Sequence, residues 1–405
     1  MNIMQFNVRL AEGGAAGVAL DLHQRARLAG MSSRFIYGYG KGGKKSASHD
    51  KYQAVEKHTP RLTSIANIVL FRFFNRDPFG NLNNLYRKIT RQNGPVVLHF
   101  HVVHSYWLNL EKMVEFCLRV KAHKNDVTFV WTLHDHWSIT GRCAFTDGCE
   151  GWKTGCGKCP SLNNYPPVKV DRAHLLVDTK RQLLREMLVL GCQFISPSQH
   201  VADAFNHIYG AGRCKIINNG IDVATEAILA ELPLTQKSNG RPKVAVVAHD
   251  LRYDGKTNQK LVETLMALGD DIELHTFGKF SPFNGANVVN HGYMTDKKAL
   301  MSELNEMDSL VFSSRVDNYP LILCEALSIG VPVIATQSDA ADEVLRKVGG
   351  KTFTEAQVPE LVKMAKAELA QQVFAMDLPT FKAASRKSFS GQQMLEEYVS
   401  FYQNL

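Results

Sequence analysis

Several features are missing from this chain. No uninterrupted apolar run approaches the roughly 20 residues that a bilayer-crossing helix needs. The opening MNIMQFNVRLAEGG does not have the basic-then-apolar layout of a secretory leader. Together these absences argue against a helical membrane protein and make a cytoplasmic chain the expectation. In that setting the eight cysteines should be thiols or metal ligands rather than disulfides. Nucleic-acid-binding motifs are also missing, and the basic residues do not alternate with aromatics as on a nucleic-acid platform, so nucleic acid is not expected as a partner. No internal repeat or low-complexity tract occurs.

Acidic residues are scarce in one half only. Residues 1–224 carry 29 Lys+Arg against 16 Asp+Glu, a net +13, whereas residues 225–405 carry 18 against 23, a net −5. A basic half suggests an anionic partner such as a membrane surface or a phosphorylated substrate. A solvated basic face without a partner is the plainer alternative.

The rest is ordinary globular material: 405 residues, 45% hydrophobic and 21% charged, enough for two domains. Strand-like runs alternate with helical stretches. MNIMQFNV, RFIYGYG, VVLHFHV, VTFVWTLH, CQFISPS and KIINNGI fall in the first half, and KVAVVAHD, IELHTFG, SLVFSS and VPVIAT in the second. This alternation predicts parallel α/β sheets covered on both faces. A polar Gly/Pro stretch at 225–241 reads as a linker. The expected layout is two doubly wound domains, 1–224 with a Cys-rich insert at 141–160 and 242–383, followed by a helical segment 384–405 packing back on the first domain. Ligands of such domains sit at the carboxyl ends of the strands, by default in the cleft between the two.

One stretch, VDNYPLILCEALSIGVPVIAT at 316–336, concentrates the chemistry. SLVFSS reads as a strand, and a helix should run from about Leu321 to Ile329, stopping at Gly330. Asp317 then lies in the loop before the helix and Glu325 about one turn into it. A helix N-terminus attracts phosphate, and carboxylates accept hydrogen bonds from hydroxyls. The combination suits a ligand carrying both phosphates and sugar hydroxyls. The plainer reading makes Asp317 a dipole residue and Glu325 a solvated helix position.

The stretch resembles the E-x7-E signature of retaining GT-B glycosyltransferases of the family-4 type, in the variant with Asp first. EALSIGVPVIAT is similar to the run that follows in that family. The resemblance implies a GT-B fold, two Rossmann-like domains facing a cleft. It gives Asp317 the transferred sugar and Glu325 the nucleotide ribose. Many members have Gly where this chain has Pro320, so a donor contact made there by an amide passes to Leu321 or Ile322. In the family the loop after the first strand, here with Gly13 and Gly14, lies opposite the donor diphosphate. A basic residue faces that diphosphate and no catalytic metal is required. Lys256 matches best, with Arg252 as a second candidate and a solvated loop as the alternative for both. His134, ending the strand VTFVWTLH, matches a histidine near the reacting sugar, against a satisfied core histidine. Alternation puts His99 and His101 on one face. With His104 they read as acceptor-pocket or structural residues, because no carboxylate completes a metal triad.

Cys143, Cys149, Cys156 and Cys159 fall within seventeen residues, spaced C-x5-C-x6-C-x2-C. Four soft ligands suit a closed, structural zinc site. Disulfides or free thiols are the alternative. The run at 61–76, RLTSIANIVLFRFFNR, suits a membrane interface with arginines at the headgroups, or a core helix.

By resemblance the chain is expected to move a sugar from a nucleotide-diphosphate-sugar to a lipid-linked oligosaccharide in exopolysaccharide biosynthesis. It would do so as a peripheral protein on the inner face of the cytoplasmic membrane. A sugar-nucleotide epimerase or hydrolase of GT-B type and a non-catalytic zinc-containing sugar-nucleotide-binding protein remain as alternatives.

Overall fold

The computed structural model describes residues 1–40, 52–233 and 240–405. It divides into two compact units, residues 1–218 with 394–405 and residues 219–393. The end of the expected linker, 234–239, lies outside the described residues. Its start is instead helical, because Asp222 caps a helix at Val223–Glu231 by accepting from the Thr225 amide. The Ile221 amide bonds to Phe389 O at 2.9 Å, and Ile221 and Leu229 lie in the second unit's core. The boundary therefore falls at 218 rather than 224.

The first unit has a seven-stranded sheet in the order β3-β2-β1-β4-β5-β6-β7. Its strands are β1 (Asn2–Asn7), β2 (Ser32–Tyr37), β3 (Val55–Lys57), β4 (Val96–Phe100), β5 (Val127–Thr132), β6 (Gln193–Ser196) and β7 (Cys214–Ile216). The second unit has a five-stranded sheet, β10-β9-β8-β11-β12. It comprises β8 (Lys243–Asp250), β9 (Glu273–Lys279), β10 (Val288–Gly292), β11 (Ser309–Phe312) and β12 (Val333–Ala335). Every pairing is parallel. β4 and β11 are buried along their whole length, as central strands covered on both faces must be.

All ten strand-like runs expected from the sequence form strands. The two not foreseen, β3 and β10, are edge strands. β3 has three residues, and β10 is partly exposed, with Asn290 and His291 in it. Neither carries an apolar run.

The helices that position the sites are α1 (Gly14–Leu28), α2 (Arg61–Phe74), α3 (Ala173–Val189), α4 (Val223–Glu231), α5 (Gln259–Met266), α6 (Lys297–Asn305), α7 (Leu321–Ile329), α8 (Leu378–Ser388) and α9 (Gly391–Gln403). The helix expected after 384 is thus two: α8 begins earlier, and α9 restarts at Gly391. The Tyr398 hydroxyl of α9 meets Thr132 Oγ1 at 2.9 Å, and the Tyr402 hydroxyl meets His99 Nδ1 at 2.7 Å.

Candidate active site

In each sheet the order reverses once, between β1 and β4 and between β8 and β11. Loops leaving the carboxyl ends of these neighbours diverge to opposite faces and leave a crevice, the usual ligand position. Gly13, Gly14 and His101 lie by the first of these places and Lys256, Asp317 and the start of the helix carrying Glu325 by the second.

In the second unit, Lys256 stands in the loop after β8 and Asp317 in the loop after β11. Lys256 Nζ lies 2.5 Å from Asp317 Oδ1. The two loops are stitched together by the Arg315 amide on Gly255 O at 2.9 Å and the Asn258 amide on Ser313 Oγ at 2.9 Å. Arg252 is not brought into this cluster. It grips Asp250 (Nη2–Oδ2 2.9 Å) and lies 3.9 Å over the Phe280 ring.

Helix α7 starts at Leu321 with Pro320 as its N-cap, so Pro320 sits just outside the first turn. The Leu321 and Ile322 amides are first-turn donors that the helix itself does not use. α7 is apolar nearly all round and buried from Leu323 to Ile329, the pattern of a helix enclosed by its domain. It ends at Gly330, whose φ of 99° favours glycine.

Glu325 is therefore not a solvated position; it is 8% exposed. Lys297, the first residue of α6, reaches it with Nζ 2.5 Å from Oε1, and Asp222 Oδ2 lies 3.6 Å from the same Nζ. Burial pushes the Glu325 carboxyl up, and Lys297 pulls it back. For Lys297 burial opposes the charge, but Glu325 and Asp222 prevail and hold the ammonium above its ordinary value. Sequence reasoning missed Lys297. TDKKAL marks a helix start through Asp296, which caps it, but nothing local shows that Lys297 crosses to a residue 28 positions away. Asp222 lies in the NNGID turn at 218–222, which offers no local sign of this partner.

In the first unit, Gly13 caps α1 at φ 95°, and its carbonyl accepts the Gly17 amide at 3.0 Å. A side chain there would be strained although space is open. Gly14 is the first residue of α1. His101 follows β4 and His134 follows β5. His101 Nδ1 and His134 Nε2 are 3.0 Å apart, and His101 Nε2 lies 3.1 Å from the Gln5 amide. Gln5 satisfies all its neighbours when its nitrogen faces His101 Nε2 and Ala19 O and its oxygen accepts from the His23 amide. That orientation assigns the His101 proton to Nδ1, donating to His134 Nε2. Burial lowers the His134 pKa to about 4, so the imidazole is neutral. His99 and His101 do share a face, with ring centroids 4.0 Å apart. His99 is structural: it bonds Thr132 Oγ1 at 2.7 Å and Tyr402.

Asp135 accepts the Trp137 amide at 2.9 Å and meets His104 Nε2 at 2.8 Å. His104 stacks on Trp137. Lys180 of α3, fully enclosed, donates to the carbonyls of Trp137, Thr140 and Gly141 at 2.6, 2.8 and 3.2 Å. It fastens the segment after His134 to α3. A cavity of about 630 Å³ opens here, with Arg76, Asp77, His104, Trp137, Arg172 and Lys180 in its lining.

The cysteine loop is organised by Arg142, which is wholly buried. Its guanidinium donates to Asn164 O at 2.7 Å, to Pro166 O at 2.8 Å, to Ser161 O, and to Cys159 Sγ at 3.3 Å. Cys143 and Cys159 are both free thiols, and burial pushes the Cys143 thiol up to about 11. Among the described residues no three His, Cys, Asp or Glu side chains form a metal-ligating group.

Helix α2 is the reverse of a core helix. It buries Ser64, Asn67 and Phe71 and leaves Leu62 81%, Ile65 46%, Val69 50% and Phe73 48% exposed. Asn67 explains the inversion: its amide donates to Phe79 O and Tyr106 O and accepts from the Phe79 amide. Among the described residues no helix is long and apolar enough to cross a membrane.

Two parallel α/β units, each with candidate residues near a reversal point of its sheet, make up the GT-B fold. The chain matches Glycosyltransferase Family 4 over residues 12–225 and Glycosyl transferases group 1 over 211–372. It belongs to this glycosyltransferase family and is a glycosyltransferase. It is 75% identical, over 100% of both chains, to WcaC of Escherichia coli (strain K12), assigned by its name as a glycosyl transferase of colanic acid biosynthesis. Among solved structures it is similar to sucrose-phosphate synthase from Thermosynechococcus elongatus (TM-score 0.62, 13% identity, 100% of this chain and 99% of that one). It is also similar to a trehalose-6-phosphate structure from E. coli bound with UDP-2-fluoro glucose (TM-score 0.59, 12% identity, 100% and 99% covered).

Proposed function

We propose that the protein transfers a sugar, with retention, from a nucleoside-diphosphate sugar to a lipid-linked oligosaccharide in exopolysaccharide assembly of the colanic acid type. The observation that carries this reading is the pair of carboxylates around the start of α7, each held by its own lysine. Lys256 balances Asp317. When donor arrives, the diphosphate takes Asp317's place beside Lys256 and beside the Leu321 and Ile322 amides, and fixed positive charge then stabilises the leaving group. Asp317, released, accepts from hydroxyls of the transferred sugar. Glu325 accepts from the ribose. No residue is assigned as an enzymic nucleophile, and no catalytic metal is proposed.

In the first unit the neutral His134, its orientation set through His101 and Gln5, is assigned the catalytic histidine role, and Gly13 and Gly14 are assigned as donor-binding residues on the family resemblance. The acceptor is assigned to the cavity beside His104 and Trp137. The support for peripheral attachment at the cytoplasmic face of the membrane is α2, an exposed apolar stripe with Arg61, Arg72 and Arg76 on the same segment. A thermal-shift series with UDP-, GDP- and ADP-sugars should find one stabilising base. Glu325→Ala should abolish that response in calorimetry, and unchanged donor affinity would sink the ribose assignment.

Structural zinc at Cys143, Cys149, Cys156 and Cys159 is proposed with a specific requirement. The four thiols are free and do not form a ligating group as they stand among the described residues, so they must converge into a tetrahedron to hold the ion. Mass-spectrometric metal content near one zinc per chain, lost when all four are changed to serine, supports it. Absence of metal in the native protein rejects it.

A further inference from the structure

The Lys297–Glu325–Asp222 cluster draws together three elements of the second unit: the N-cap of α4, the first residue of α6 and the interior of α7. Lys297 meets one oxygen of Glu325, Oε1, at 2.5 Å, and Asp222 Oδ2 stands 3.6 Å from the same ammonium. The Glu325 side chain is 10% exposed, whereas those of Lys297 and Asp222 are 35% and 38% exposed, so the cluster opens at the end where the ammonium and Asp222 stand. An ammonium carries three donors and no acceptor, and a carboxylate carries acceptors only. Side by side they form a donor–acceptor couple.

We propose that Lys297 is a specificity-determining residue that completes ribose recognition. Its ammonium donates to one hydroxyl oxygen while the free oxygen of Glu325 accepts from the adjacent hydroxyl, so the pair reads a vicinal diol. The inference rests on the reading of Glu325 as the ribose residue. A carboxylate alone is satisfied by either hydroxyl. A carboxylate with a neighbouring ammonium needs two adjacent oxygens, and a sugar lacking one leaves a half-buried donor or acceptor unmatched. The cluster also explains why Glu325 can stay charged inside an apolar helix: Lys297 is its counter-charge, and the other charged group facing it, Asp222, is itself shared with Lys297.

The test uses the full chain and calorimetric titration of UDP, GDP and ADP and their 2′-deoxy counterparts. The native protein should bind its preferred ribonucleotide at least about tenfold more tightly than the deoxy form, the loss of about one well-placed hydrogen bond. Lys297→Met should bring the two within about threefold, mainly by weakening the ribonucleotide. Lys297→Arg, which keeps charge and donors, should restore a preference, and it also guards against a folding defect in the methionine variant. A native protein without discrimination, or a Lys297→Met protein that keeps it, overturns the proposal. The two readings separate through Glu325→Ala. If that variant binds nucleotide normally, the ribose assignment itself fails. If it loses binding while Lys297→Met still discriminates, only the role of Lys297 fails.

Discussion

Histidines decide the acid behaviour of this protein residue by residue. Burial lowers His134 and His136 to about 4, from an ordinary 6.5, and holds His99 and His101 well below it. These imidazoles are neutral when folded and become charged when the chain unfolds in mild acid. Protonation therefore favours the unfolded state. Stability is full above about pH 6.5 and falls as pH drops toward 4; each tenfold by which burial weakens a histidine's hold on its proton is worth about 1.4 kcal/mol. A thermal-melt series from pH 7.5 to 4.5 should show a steep decline below 6.5, shallower in His101→Gln, which removes one of these titrating groups. A flat profile contradicts the buried, neutral network. Asp317, His134 and Gly13 could be picked out in the sequence because each sits where a strand ends or a helix starts, and Glu325, inside α7, because its spacing from Asp317 resembles the family's E-x7-E signature. Lys297 and Arg142 could not. Their partners lie 28 and about 20 positions away, and a cation in a polar stretch looks the same whether it is solvated or enclosed.

Among the elements, α7 and α2 show how far hydrophobic pattern reaches. Both are apolar 9- to 14-residue helices by sequence, yet α7 is enclosed while α2 turns its apolar stripe outward. The pattern gave the limits of α7, whereas α2 ends at Phe74, two residues short of the end of the apolar segment 61–76. The direction of burial was set for α2 by one polar residue, Asn67, which three backbone groups hold inward. Edge strands β3 and β10 escaped notice for a related reason: half-exposed strands need no apolar run. The outward stripe on α2 gives an element-scale prediction. Vesicles containing anionic lipid should pull the protein down in co-sedimentation, and neutral vesicles much less. Leu62→Glu with Phe73→Glu should cut binding by about tenfold or more without lowering the melting temperature, since both side chains are already exposed. Binding that survives the double change places the membrane contact elsewhere.

At the level of the whole molecule, the two-unit α/β organisation was readable from alternating strands and helices, but the division was not. The chain returns: α9 opens with the Gly391 amide on Glu226 of the second unit and ends with Tyr402 on His99 of the first. The expectation that the segment 384–405 packs back on the first domain is met by residues 394–405, whereas residues 384–393 stay with the second unit. That return also means that the two compact units are not two consecutive pieces of chain. A cut at residue 218 strips Tyr398 and Tyr402 from the first unit and leaves Thr132 and His99 without these partners.

The mutual pairing of Lys256 with Asp317 has a kinetic consequence. Around it, Arg252 is matched by Asp250, Arg315 by Asp254 and Lys297 by Glu325. Charges matched at contact distance cast little field beyond a Debye length. These matched pairs therefore add little long-range pull of their own on an incoming dianion, and they become available to it only once it has arrived. Stopped-flow association of the preferred nucleotide should accordingly change by less than about threefold between roughly 20 mM and 500 mM salt, where a steered encounter falls steeply. Dissociation, not capture, then sets how tightly this enzyme holds its donor.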